Sequence, residues 1–370
     1  MTPEDDRRDG REPSVSPPER TSLVWADALG IPNAITQTLA NETGVKAAAA
    51  RLAQSDVTRI VASGNGASYY AALALSLASL AQPCGVSVTA LPAGVFVHGR
   101  YRWQDGDYLL VFSSSGELRD IVNAQKALGI GQFALVTASP ESTLNALAET
   151  TLVVSAPEQR SLTHTQSYVA ALAASLLLVA QLTGDDELEL ATRATPDLAR
   201  RNLEHAPEWI DGLALDRLPP LAIAFGTSVA WAAALETALL LKEIAGVPCE
   251  GVESREGATS AMFALTDGSL AISLETASDP HLTGTEESCR SMGSRIVRIP
   301  CREDDDPRLV PILSFPYALA LALRLAELAG RDPDDPPWAE NYLSSVRAKR
   351  ATAPIRERPL PEGSLRRSSE

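Results

Sequence analysis

The chain has 370 residues, 45% of them hydrophobic, and a formal net charge of −15. That length accommodates two domains of ordinary size with a buried core. The acidity and the lack of a basic stripe argue against nucleic acid and anionic membrane surfaces as partners, while a small phosphate ester held by N–H groups and hydroxyls stays possible.

Residues 1 to 20 are charged and proline-rich with no apolar signal core, and residues 351 to 370 have similar composition, so both read as disordered tails. No apolar run is read as membrane-spanning, which places the chain in the cytoplasm. Cys84, Cys249, Cys289 and Cys301 are scattered, lack zinc-type spacing, and fit reduced thiols.

Strands are expected at Val57–Ala62, Val86–Leu91, Tyr108–Phe112, Phe133–Thr137 and Thr151–Ser155, mostly separated by helical stretches. This order predicts an α/β fold of right-handed βαβ units, with a parallel sheet covered on both faces. A polar, acidic segment follows, and strands resume at Leu221–Phe225, Leu270–Ser273 and Arg295–Ile299. The division is then a first domain over 21–185, a linker over 186–206 and a second doubly wound domain over 207–350. Gly66-Ala67-Ser68-Tyr69-Tyr70-Ala71-Ala72 is echoed 160 residues on by Gly226-Thr227-Ser228-Val229-Ala230-Trp231-Ala232, which suggests duplication of one unit.

Two turns carry the chemistry. Tyr108-Leu109-Leu110-Val111-Phe112 runs into Ser113-Ser114-Ser115-Gly116-Glu117, and Ile60-Val61-Ala62 runs into Ser63-Gly64-Asn65-Gly66-Ala67-Ser68. Hydroxyls and unpaired N–H groups at a strand-to-helix turn suit an anion, and two such turns can face one pocket beyond the strand ends. The serines could equally serve as helix caps. Neither turn has the spacing of a dinucleotide fingerprint or a Walker loop.

Together these turns, with Ala234-Leu235-Glu236-Thr237-Ala238-Leu239-Leu240-Leu241-Lys242-Glu243 and Ile31-Pro32-Asn33-Ala34-Ile35, resemble the sugar isomerase (SIS) domain family over roughly residues 25 to 350. The likeness is to the doubled arrangement of the isomerase half of glucosamine-6-phosphate synthase and of stand-alone aminosugar-phosphate isomerases and deaminases. It implies a flavodoxin-like fold in tandem and a homodimer, which the apolar stretches Ser167–Leu182 and Phe315–Leu328 also favour. It further implies phosphate ligation by Ser68, Ser113 and Ser115, with Gly66, Ser114 and Glu117 beside them, and places at Glu243 the carboxylate that moves a proton between C1 and C2. A partly desolvated carboxylate suits that task.

The departures are equally specific. Where the family continues into a His-Gly used in ring opening, this chain has Arg255-Glu256-Gly257-Ala258-Thr259-Ser260, with Glu256 a candidate to meet the ligand. Leu343-Ser344-Ser345-Val346-Arg347 lacks the family's C-terminal lysine. The Ser-Thr-Lys run becomes Thr163-His164-Thr165, which offers His164 as an acid–base group or as a structural histidine. The expected activity is isomerisation or deamination of a hexose or hexosamine 6-phosphate, with no metal and no cofactor. The alternative is a sugar-phosphate sensor or partner-binding protein that kept the pocket and lost the chemistry. Nothing before residue 40 resembles a helix-turn-helix, so a transcription regulator is disfavoured.

Overall fold

The computed structural model describes residues 22–82, 85–96, 101–128, 132–274, 280–302 and 304–341. Both expected tails, Cys84 and the Leu343–Arg347 run lie outside the described residues.

Three helices open the chain: α1 (Leu23–Ala28), α2 (Ile31–Ala40) and α3 (Glu42–Leu52). Ser22 and Asn41 cap α1 and α3 by accepting the N–H groups of Trp25 and Gly44. The first α/β unit then runs β1 (Arg59–Gly64), α4 (Ala67–Ala78), β2 (Ser87–Pro92), β3 (Asp107–Phe112), α5 (Arg119–Leu128), β4 (Phe133–Thr137), β5 (Thr150–Val153) and α6 (Gln166–Thr183). After α7 (Asp186–Gly212), the second unit runs β6 (Ala222–Gly226), α8 (Val229–Leu240), β7 (Cys249–Glu253), α9 (Ser254–Thr259), β8 (Leu270–Ser273), α10 (Pro280–Ser291), β9 (Arg295–Arg298), α11 (Val310–Leu313) and α12 (Phe315–Leu328).

Both sheets are wholly parallel among the described residues, in the orders β2-β1-β3-β4-β5 and β7-β6-β8-β9. The protein is therefore α/β, with two doubly wound sheets in tandem and the same flavodoxin-like order in each. Central strands such as β4 are buried along their length, so they read as continuous apolar runs. Sequence reasoning missed β7. Its Cys-Glu-Gly-Val-Glu string has no β-branched run, because it is an edge strand that needs to be apolar on one side only.

Residues 186–206, expected as a linker, form most of the 27-residue helix α7, which packs on α2, α6 and α12. Asp185 caps it and three acidic residues occupy its first turn, where they complement the positive end of the helix. Helices α4 and α8 pack on each other, and one hydrophobic cluster runs through both halves. Two helical stretches, Gln166–Thr183 and Pro307–Leu328, are long and apolar enough to cross a membrane by length and composition, although the sequence reading found no such run. Most of each is buried in this core, which accounts for its apolarity.

The internal repeat is real in backbone terms but offset from its expected register. Helix α4 starts at Ala67 and α8 at Val229, and the residues before them, Gly66 and Ser228, share a positive φ of 54°. Ser228 rather than Gly226 is thus the counterpart of Gly66; Gly226 corresponds to Gly64, the last residue of β1. Both of these strand-end glycines are required by close approach: a Cβ on Gly64 would lie 2.8 Å from the Ser68 and Tyr69 backbone, and one on Gly226 2.6 Å from the Ala230 carbonyl.

Candidate functional site

In a doubly wound sheet the crevice opens at the carboxyl ends of the strands, where the order reverses. In the first sheet that point lies between β1 and β3, and the two hydroxyl-rich turns follow these strands. A cavity of about 190 Å³ sits there. Asn65, Gly66, Ala67 and Ser68 bring to it the positive end of α4; Ser113, Ser114 and Ser115 face it from the other turn.

The serine turn is shaped by its own chain rather than by a helix. Helix α5 begins only at Arg119, four residues beyond Ser115. The Gly116 N–H donates to the Ser113 carbonyl, and Ser114 O accepts from Ala138 N–H and the Thr137 hydroxyl. Gly116 has φ of +61°, and a Cβ there would strike the Ser142 hydroxyl, so glycine is needed on both counts. The turn is thereby clamped against the end of β4, with Ser113, Ser114 and Ser115 along the cavity wall and the Ser115 hydroxyl accepting the Glu117 N–H at 3.3 Å.

The opposite wall is acidic. Glu236 on α8 and Glu243 just beyond it both line the cavity. Glu243 lies in a π-helical turn, Leu241–Ala245, closed by Gly246 in the left-handed conformation. Its backbone carbonyl accepts a 2.8 Å hydrogen bond from the Trp338 indole. Burial pushes the Glu243 carboxyl up to about 7. Glu236 is 3% exposed, and burial followed by repulsion from Glu243 raises its pKa well above the ordinary carboxyl range. Its Oε2 is buried without a partner, as is the nearby Tyr168 hydroxyl. Glu236 was not among the expected site residues. The signal was present, because it precedes Glu243 by seven residues, about two helical turns, and so shares its face.

His164 also lines the cavity, from the loop that precedes α6. Its Nδ1 lies 3.0 Å from the Ser167 hydroxyl and 3.3 Å from Gln159 Nε2. Among the described residues no lysine or arginine lines the cavity.

Two expected ligands are placed otherwise. Glu117 forms part of the wall, but its carboxylate accepts the Thr143 N–H at 2.8 Å and the Thr143 hydroxyl at 2.7 Å, so both oxygens are committed to the loop after β4. Glu256 stands exposed on α9, beyond the edge strand β7, and is not among the lining residues. The other expected residues, Gly66, Ser68, Ser113, Ser114, Ser115, His164 and Glu243, converge on one cavity.

Two tandem flavodoxin-like sheets with a serine-lined crevice at the first switch point define a double-SIS architecture. In sequence and fold the chain resembles that family. It is 28% identical over 326 residues to glutamine–fructose-6-phosphate aminotransferase (isomerizing) of Shouchella clausii, an alignment covering 80% of this chain and 52% of the relative. The chain thus spans about half the length of that curated relative. Its fold matches glucosamine-6-phosphate deaminase from Thermotoga maritima with a TM-score of 0.71 and 18% identity, covering 85% of this chain and 98% of the other. It also matches the C-terminal domain of glucosamine-fructose-6-phosphate aminotransferase from Francisella tularensis, with a TM-score of 0.73, 17% identity and coverages of 86% and 99%. No model of a known protein family matches the chain.

Proposed function

We propose that the protein is a phosphosugar enzyme that isomerises a hexose or hexosamine 6-phosphate, or couples such isomerisation to loss of the C2 amine. The observation that carries this reading is the convergence of the serine turn, the α4 N-terminus and Glu243 on one cavity. The Ser68, Ser113 and Ser115 hydroxyls, with neighbouring N–H groups, hold the phosphate without a cation. Anchoring that end sets C1 and C2 against the opposite wall, where position alone removes much of the barrier.

Glu243 then takes a proton from one of the two carbons and returns it to the other. Its carboxyl, raised to about 7, can both accept and release a proton near neutral pH. Glu236, held protonated by burial, offers an O–H to the oxygen that gains charge in the enediolate. Action as a homodimer belongs to this proposal through the family resemblance alone, since the apolar helices α6 and α12 are buried in the protein's own core.

A second reading is a phosphosugar sensor without turnover, favoured by the absence of lysine and arginine from the described cavity lining. Thermal shifts with hexose and hexosamine 6-phosphates, against the unphosphorylated sugars, test the binding both readings share. A ligand at a hundred times its Kd stabilises by about 2.7 kcal/mol. Turnover by the wild type that is lost in Glu243→Gln selects the enzyme, and binding without turnover selects the sensor.

A further inference from the structure

His164 enters the cavity from a loop that is tied to the first helix. The buried Asp27 carboxylate accepts the N–H groups of Arg160 and Ser161, each at 2.6 Å, and Gln166 Nε2 donates to the Asp27 carbonyl. Within this loop three donors surround Gln159 Oε1: the Thr165 N–H at 3.2 Å, the Ser167 N–H at 3.0 Å and the Ser167 hydroxyl at 3.0 Å. Two of these donors are backbone N–H groups, which can only donate. The amide therefore cannot be turned over; its oxygen faces the start of α6, and its Nε2 faces His164 Nδ1 at 3.3 Å.

A side-chain amide nitrogen likewise only donates, so the imidazole nitrogen it meets has to accept. We propose that Gln159 is a positioning residue that fixes His164 as the neutral tautomer protonated on Nε2, so that the imidazole serves the cavity as a hydrogen-bond donor and not as a base. A proton on Nδ1 would set one N–H against another. This opposes the imidazolium form even though Glu236, Glu243 and Glu117 line the same cavity. The Ser167 hydroxyl lies 3.0 Å from both Nδ1 and Gln159 Oε1; in this arrangement its single hydrogen goes to Nδ1, and Gln159 Oε1 keeps the two backbone N–H groups.

The target of that donor, an oxygen of the sugar, rests on the phosphosugar reading; the tautomer itself does not. A neutral imidazole is a fitting partner for an oxygen that becomes an enediolate, because it stabilises developing charge without first pairing with the carboxylates. Proton removal from carbon is then left to Glu243 alone.

The test is nitrogen NMR of protein labelled with [15N]histidine, with His164 assigned among the four histidines by the signal lost in His164→Ala. The wild type without ligand at neutral pH is expected to show Nδ1 as an unprotonated ring nitrogen and Nε2 as a protonated one. Gln159→Glu supplies an acceptor instead and should move the proton to Nδ1 or produce the imidazolium, while Ser167→Ala should leave the wild-type pattern intact. A wild-type spectrum with Nδ1 protonated overturns the proposal, as does a pattern that follows Ser167 and ignores Gln159. Should Gln159→Glu fail to fold, the wild-type spectrum still decides. Where a phosphosugar turns over, Gln159→Glu should lower kcat on the order of tenfold or more with little change in KM. Absence of binding by any phosphosugar would defeat the functional reading and leave the tautomer result standing.

Discussion

Gly66 and Ser228 hold nearly one backbone conformation in the two halves, φ 54° with ψ of −133° and −128° respectively. Glycine adopts it without steric cost, whereas a side chain at positive φ is strained by about 1–3 kcal/mol. Ser228→Gly should therefore stabilise the protein by about 1 kcal/mol after the added freedom of the unfolded chain is subtracted. The measurement is a urea titration, with a higher midpoint and an unchanged slope. A lower midpoint would mean that the serine side chain makes contacts worth more than the strain.

Glu243 gives a stability signature that needs no substrate. Its folded pKa of about 7 lies above the ordinary value of 4.5, so the folded state binds more protons between these pH values and stability falls as pH rises through that window. Glu243→Gln removes the Glu243 share of this dependence, leaving that of buried Glu236. The variant should be more stable than wild type by about 1–3 kcal/mol above pH 7 and nearly equal to it below pH 4.5, as read by melting across pH. In the enzyme reading, wild-type activity rises with pH through about 7 as the carboxylate forms, and the variant loses about 10²–10⁴ of it.

The proposed function places phosphate selectivity in the serine turn. Hydrogen bonds to a charged group contribute about 1.5–3 kcal/mol each, so Ser113→Ala or Ser115→Ala should weaken a hexose 6-phosphate by about 10–150-fold. Unphosphorylated sugar should be affected little. Calorimetric titration of both ligands distinguishes this from a general collapse of the cavity, which would weaken them alike.

The Asp27 carboxylate is fully buried and ties α1 to the loop before α6 through Arg160 and Ser161. Asp27→Ala leaves two backbone N–H groups and the Arg160 guanidinium without their acceptor. A loss of about 3–5 kcal/mol is expected, together with altered His164 nitrogen signals in any folded fraction. Unchanged stability would show that water replaces the carboxylate.

Much of this architecture could be read from the residues. Runs such as Phe133–Thr137 and Leu270–Ser273 are buried on both faces, so their apolar strings match the observed strands end to end. The serine turn was legible because hydroxyls and glycine after an apolar strand suit an anion; Glu243 came from the family resemblance alone, since by composition a helix-end glutamate beside a lysine reads as solvent-facing. Glu236 was missed despite its seven-residue spacing from Glu243, because one acid within an alanine-rich helix taken by itself looks the same whether it faces solvent or a cavity. Glu117 and Glu256 could not be placed from sequence either: the partner of the first lies 26 residues away at Thr143, and the position of the second depends on β7 taking the sheet edge.

The π-helical turn at Leu241–Ala245 has one further consequence. Such a turn carries one residue more than an α-helix needs over the same span. Deleting the residue before Glu243 would let an α-helix cover the same span and would shift Glu243 within the turn by about 100°, carrying its carboxyl off the cavity wall with its chemistry unaltered. The position of the Glu243 carboxyl is thus set by the count of residues in this turn, and in the enzyme reading a deletion here would remove activity without touching the acid itself.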